Sequence, residues 1–174
     1  RRDHDVAERL QLLISRVEVG DAADHRRLLP AGGPVEVGVD MPQRGAGVLV
    51  EDFGLVPGQR VLLRSPNNPM LAAAWLGVLK AGGIVVATMP LLRAAELSHI
   101  IAKARIGLAI CDARLAEELH RAVQSCPTLK SVFFNIGSPE GLEARMALRP
   151  DHFADVIVSH DDVALIAFTS GTTG

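Results

Sequence analysis

Thr169, Ser170, Gly171, Thr172, Thr173 and Gly174 follow one another without interruption, directly after the apolar run 163–168. Four of the six carry a hydroxyl, and the two glycines permit backbone angles that a Cβ disfavours. A turn of this kind offers hydroxyl donors and a row of backbone N–H groups, a concave cradle suited to phosphate oxygens. Clusters of Ser, Thr and Gly are usually plain loops. This one differs in its place, at the end of six apolar residues that read as a buried strand. It is not the common phosphate loop, because the Gly-Lys-Ser/Thr ending of that motif is missing.

Composition narrows the chemistry. The chain has 174 residues, 48% of them hydrophobic, enough for one domain with a real core. A net charge of −2, 3% aromatic residues and no tyrosine give neither an electrostatic footprint nor a stacking platform for nucleic acid. Cys111 and Cys126 make no disulfide framework or metal-ligand pattern and fit a reducing compartment. The histidines are scattered; His99 and His120 read as solvated helix positions. With no basic-then-apolar leader, the expected location is cytoplasmic. The chain starts at Arg1 and stops inside the Thr/Gly run, so both ends read as cut.

The elements that must position the run alternate. Residues 60–64 read as a strand after the Pro57-Gly58 turn. Asn68 and Pro69 suit the N-cap and first position of a helix ending at Gly82-Gly83. Residues 84–87 read as a parallel strand and 94–104 as a helix stopped by Gly107. Residues 108–111 form the next strand. Asp112 caps a further helix in which Glu117 can pair with Arg121. Residues 131–136 are a fourth strand. A polar excursion over 137–160, with a helical turn near 142–148, leads into the run 163–168. Strand–helix–strand at this spacing means an α/β fold, a parallel sheet with helices on both faces. The apolar stretch 70–92 is long enough to span a membrane, but Lys80 near its centre would cost about 2.5–3.5 kcal/mol there and Gly82-Gly83 breaks it.

The first part of the chain is less regular. Residues 5–19 carry an amphipathic helical pattern. Residues 30–47 hold five glycines and three prolines, with one short alternation at 35–39 that suits an edge strand. We read 30–47 as a loop, with helix only in the last residues before Phe53, because Pro42 and the glycines break the pattern. The expected division is therefore 1–47, a helix and an irregular segment, and 48–174, the α/β unit.

Residues 161–174, Asp-Asp-Val-Ala-Leu-Ile-Ala-Phe-Thr-Ser-Gly-Thr-Thr-Gly, resemble the phosphate-binding signature of acyl-adenylate-forming (AMP-binding) enzymes. Residues 60–68, 77–83 and 89–97 are similar to the N-terminal domain of acyl-CoA synthetases, most of all aryl-CoA ligases of the 2-aminobenzoate or benzoate type. The resemblance covers about 48–174, and only the terminal motif is specific for chemistry. It implies an acid–CoA ligase that uses ATP with Mg²⁺, a carboxylic acid and coenzyme A. Thr169 to Gly174 would wrap the β- and γ-phosphates. The family's catalytic residues match no position here, so no catalytic residue and no metal ligand is assigned, and the chain alone is expected to be inactive. In the family pattern a long helix precedes residue 53; a local shift of reading frame would explain its apparent absence over 30–47. Two other readings stand beside this one, a general nucleotide-binding α/β domain without ligase activity and a non-catalytic α/β fragment.

Overall fold

The computed structural model describes Gly38 and residues 40–168, all within one unit, Glu36–Gly174. The helix expected at 5–19, the alternation at 35–39 and the Thr/Gly run 169–174 lie outside the described residues. Four parallel strands form the sheet: β1 Arg60–Arg64, β2 Ile84–Thr88, β3 Leu108–Asp112 and β4 Lys130–Phe134. Their order is β2-β1-β3-β4, so the chain builds outward from β1 to one side and then crosses to the other.

One helix, α1 Met41–Glu51, precedes β1, and one follows each strand: α2 Pro69–Lys80, α3 Ala94–Ala104, α4 Ala116–Val123 and α5 Leu142–Ala147. Strand side chains alternate between two cores. Val61, Leu63, Val85, Ile110 and Phe134 face α1, α2 and α5. Leu62, Val86, Ala109 and Cys111 face α3 and α4. Apolar residues on both strand faces are what a parallel sheet buried on two sides requires.

Several local signals act as the residue types dictate. Asn68 Oδ1 accepts from Leu71 N–H at 2.8 Å and caps α2, with Pro69 in its first turn. Asp112 Oδ1 accepts from Arg114 N–H at 3.0 Å and caps the short 3-10 turn before α4. Glu117 pairs with Arg121 one turn on. Among the described residues no helix is long and apolar enough to cross a membrane.

Three expectations need correction. First, 41–47 is helical. Pro42 occupies the first turn, where a missing N–H breaks no helical hydrogen bond. Gly45 and Gly47 are buried contact positions, not breaks. An added Cβ on Gly47 would lie 3.5 Å from Arg149 Cδ. The helix that the family pattern expects before residue 53 is thus present from Met41, and over 41–47 no shifted reading frame is needed to explain its loss. Second, α3 ends at Arg105, which takes the left-handed conformation at φ 51°, and not at Gly107. Third, 163–168 is not a buried strand. It meets the outer edge of β2 through one parallel bridge, Leu165 to Val85, and Val163 and Leu165 remain 57% and 44% exposed. Its position at the rim of the sheet leaves one edge and one face uncovered among the described residues.

Candidate functional site

All strands being parallel, their carboxyl ends gather at one end of the sheet. Ligands of open α/β sheets bind there, beside the point where the strand order reverses. Here that point lies between β1 and β3, the neighbours on either side of the crossover. A recess of about 260 Å³ opens over it, lined by Arg64, Pro90 to Arg93, Arg114, Leu115, Glu117 and Glu118.

Arg64 ends β1 and is 1% exposed. In register it pairs with Thr88 of β2 and Cys111 of β3. Its guanidinium reaches across both connections. Nε donates to Leu115 O at 3.3 Å, Nη1 to Met89 O at 3.3 Å, and Nη2 to Pro90 O at 3.1 Å and Leu92 O at 2.9 Å. Four backbone carbonyls therefore surround a buried cation. Burial pulls the Arg64 guanidinium below its ordinary value, and Cys111 and Glu118 nearby act the other way. An arginine stays charged in any case, so the carbonyl dipoles carry the compensation.

The other charged groups at this end are also engaged. Burial works against ionisation of Asp112, but hydrogen bonds from Arg114 and Asn135 prevail and hold its carboxyl below the usual range. Arg114 Nη2 lies 2.6 Å from Asp112 Oδ2, and Asn135 Nδ2 lies 3.0 Å from the same oxygen. Glu118 accepts from Ala94 N–H at 2.8 Å, at the start of α3, and that bond leads the lowering of its carboxyl. Arg93 Nη1 stands 3.3 Å from Glu118. Among the described residues no three His, Cys, Asp or Glu side chains cluster as metal ligands would.

The approach of 163–168 completes the geometry. Val85 N–H donates to Ala164 O and Ile166 N–H to Val85 O, both at 2.9 Å. Upstream, Val156 N–H donates to Lys80 O at 2.9 Å, and Lys80 Nζ holds Asp155 at 2.9 Å. Being parallel to β2, the segment runs toward the carboxyl end of the sheet, and Ile166 and Phe168 pack into the core shared by α3 and α4. Phe168 precedes Thr169 by one peptide bond. The six expected site residues lie outside the described part, but the segment that precedes them runs toward the carboxyl end of the sheet.

Sequence reading treated Arg64 and residues 89–92 as separate pieces of scaffold. Their signal was a cation directly after the apolar Val61-Leu-Leu63, which must be paired if that end of the strand is buried.

Comparison with known proteins gives the class. The AMP-binding enzyme family model matches residues 40–174, and the chain belongs to that family. A salicyl-AMP ligase / salicyl-S-ArCP synthetase of Mycobacterium tuberculosis is 34% identical over 143 residues, which cover 78% of this chain and 24% of that protein. An uncharacterized acyl–CoA ligase, YtcI, of Bacillus subtilis is 28% identical over 74% of this chain and 24% of its own length. The structure of ATP-bound MatB from Rhodopseudomonas palustris matches with a TM-score of 0.68 and 26% identity, over 78% of this chain and 27% of that one. The chain thus spans about a quarter of the length of the relatives it matches.

Proposed function

We propose that this chain supplies the phosphate-holding part of an ATP-dependent acid–CoA ligase. The observation that supports the reading is the parallel seating of 163–168 on β2, which runs Phe168, the residue before Thr169, Ser170, Gly171, Thr172, Thr173 and Gly174, toward the carboxyl end of the sheet. Membership of the AMP-binding family and the ATP bound to a relative of the same fold support it.

In the proposed reaction a carboxylate oxygen attacks the α-phosphorus of ATP. The bond from that phosphorus to the bridging oxygen breaks, and pyrophosphate leaves with its electron pair. A thiolate then attacks the acyl carbonyl, and AMP departs. The work of 169–174 is to hold the β- and γ-phosphates with hydroxyl and backbone donors, so that charge on the leaving pyrophosphate is met as it develops. Mg²⁺ would arrive with the nucleotide and share that charge. Arg64 is buried and already donates to four backbone carbonyls, so it is not a free phosphate ligand.

For the acid we favour an aromatic carboxylate of the 2-aminobenzoate or benzoate type, in line with residues 60–68 and 89–97 and with a relative named for its salicyl group. For the acceptor we favour coenzyme A, as in the name of the acyl–CoA ligase relative. The test is thermal denaturation with and without Mg-ATP, together with pyrophosphate release from ATP and benzoate. A stabilising shift without pyrophosphate release is expected of this chain alone. Absence of any shift would leave a non-catalytic α/β fragment.

A further inference from the structure

The nucleotide reading concerns 169–174; Arg64 concerns the core that receives the residues just before them. Its four carbonyl acceptors belong to two connections, 89–92 between β2 and α3, and Leu115 between β3 and α4. Leu92 and Leu115 also lend their side chains to the core that receives Ile166 and Phe168. One buried guanidinium therefore fixes the backbone of two residues that pack in the same core as the strand leading to the phosphate run. Two apolar side chains of the loop it holds give little anchorage, since Met89 is 62% and Leu91 82% exposed. A loop with outward apolar side chains needs backbone partners to keep one conformation.

We propose that Arg64 is a positioning residue of the adenylation site: its carbonyl clamp on 89–92 and Leu115 steadies the core that receives Ile166 and Phe168, the last described residues before the Thr/Ser/Gly run. The inference rests on the ligase reading for its ligand, but the clamp itself does not. Geometry demands arginine at this position. Its planar fork serves four carbonyls spread over two connections, whereas an ammonium is a point donor that cannot span them. Arg64 touches no reacting atom and acts only through the backbone it holds.

Hydrogen exchange and Mg-ATP titration on the wild type and on Arg64→Lys, Arg64→Met and Arg145→Lys test it. Arg145 joins α5 to Asp52 on the opposite face and serves as the control for general loss of stability. For Arg64→Lys we expect at least tenfold faster amide exchange in 89–93 and 163–174, and at least tenfold weaker Mg-ATP binding, with β3, β4 and α1 unchanged. Arg145→Lys should leave both regions and the affinity as in the wild type. Arg64→Met should enlarge the effect; if it fails to fold, the lysine variant still decides. Unchanged exchange over 163–174 in a folded Arg64→Lys, or unchanged affinity where the wild type binds Mg-ATP, overturns the clamp and leaves the ligase reading intact. Faster exchange in a protein whose wild type binds no Mg-ATP supports the clamp and overturns the ligase reading alone.

Discussion

Gly77 of α2 stands directly over Ala46 of α1: a Cβ built on Gly77 would lie 3.3 Å from Ala46 N and 3.2 Å from Pro42 O. Both atoms are backbone, so no side chain can swing aside. The close approach explains why a helix with two glycines and a proline packs well. Adding a methyl group at Gly77 gains about 1 kcal/mol of helix propensity and forces the helices apart by a few tenths of an ångström. Gly77→Ala should therefore change stability little. Gly77→Val, with more bulk and less propensity gain, should destabilise by about 1–3 kcal/mol. Urea denaturation of the pair checks this; a valine variant as stable as the alanine variant would contradict the contact.

The same contact shows what a sequence reveals and what it withholds. The limits of β1 were legible, because it is a short run between Pro57-Gly58 and Ser65-Pro66 and both boundaries are chemical, whereas β4, expected at 131–136, runs Lys130–Phe134 and is ended by Asn135 at φ 56°. The caps at Asn68 and Asp112 were legible for the same reason: side chain and backbone partner are neighbours in sequence. The start of α1 was hidden. Pro42, Gly45 and Gly47 count as breakers in isolation, and only the approach of α2 at Pro42 and Gly45, and of Met146 and Arg149 at Gly45 and Gly47, turns them into contact positions. For 163–168, apolar composition shows a preference for burial but not whether anything covers the outer edge. The clamp by Arg64 depends on carbonyls 25 to 51 residues away, beyond the reach of any local pattern. The run expected to hold phosphate lies outside the described residues, and the fold adds only the direction in which 163–168 runs.

Asp52, just after α1, receives Arg145 Nη1 at 2.9 Å and is also held by Arg149, both from the α5 region. Burial opposes its charge, but the hydrogen bonds from the two arginines outweigh that and keep the carboxyl below its ordinary 3.8. As pH falls, the unfolded chain takes up this proton before the folded chain does. The Asp52 contribution is therefore present above about pH 4 and is lost as pH drops through the lower folded value. Asp52→Asn should lower stability near neutral pH by about 1.5–3 kcal/mol, the range for hydrogen bonds to charged groups. It should also narrow its gap to the wild type in acid. Denaturation at a series of pH values reads the difference curve; a gap that widens toward acid would show the sign to be wrong.

The two thiols should separate in reactivity. Cys111 is buried in the middle of the sheet, and burial pushes its thiol up to about 12, with Arg64 pulling the other way. Little thiolate forms there at neutral pH, and a reagent cannot reach it without opening the sheet. Cys126, half-buried in the connection between α4 and β4, has no such protection. Titration of the folded protein with a thiol-specific disulfide reagent should give one rapid equivalent, lost in Cys126→Ser. The second should appear only in denaturant. Rapid loss of both would mean that the β1–β3 end of the sheet opens readily.

The phosphate assignment can be tested without touching the described fold. Thr172→Val and Thr173→Val keep side-chain shape and remove one hydroxyl each. A hydrogen bond to a charged phosphate contributes roughly 1.5–3 kcal/mol, so each loss should weaken Mg-ATP binding about tenfold or more. Ligand-linked stabilisation makes the effect visible in melting experiments. At a nucleotide concentration about 100 times the dissociation constant, the wild type gains about 2.7 kcal/mol, and a tenfold weaker variant gains only about 1.4 kcal/mol. Comparing each protein with and without Mg-ATP cancels any effect of the substitution on the empty protein. Ser170→Ala and Gly171→Val extend the series, the second by obstructing close approach of the backbone to an anion. If the wild type is stabilised and all four variants are stabilised equally, the nucleotide binds elsewhere. The run at 169–174 would then be a loop that carries the chain onward, and the recess over Arg64 would become the place to look.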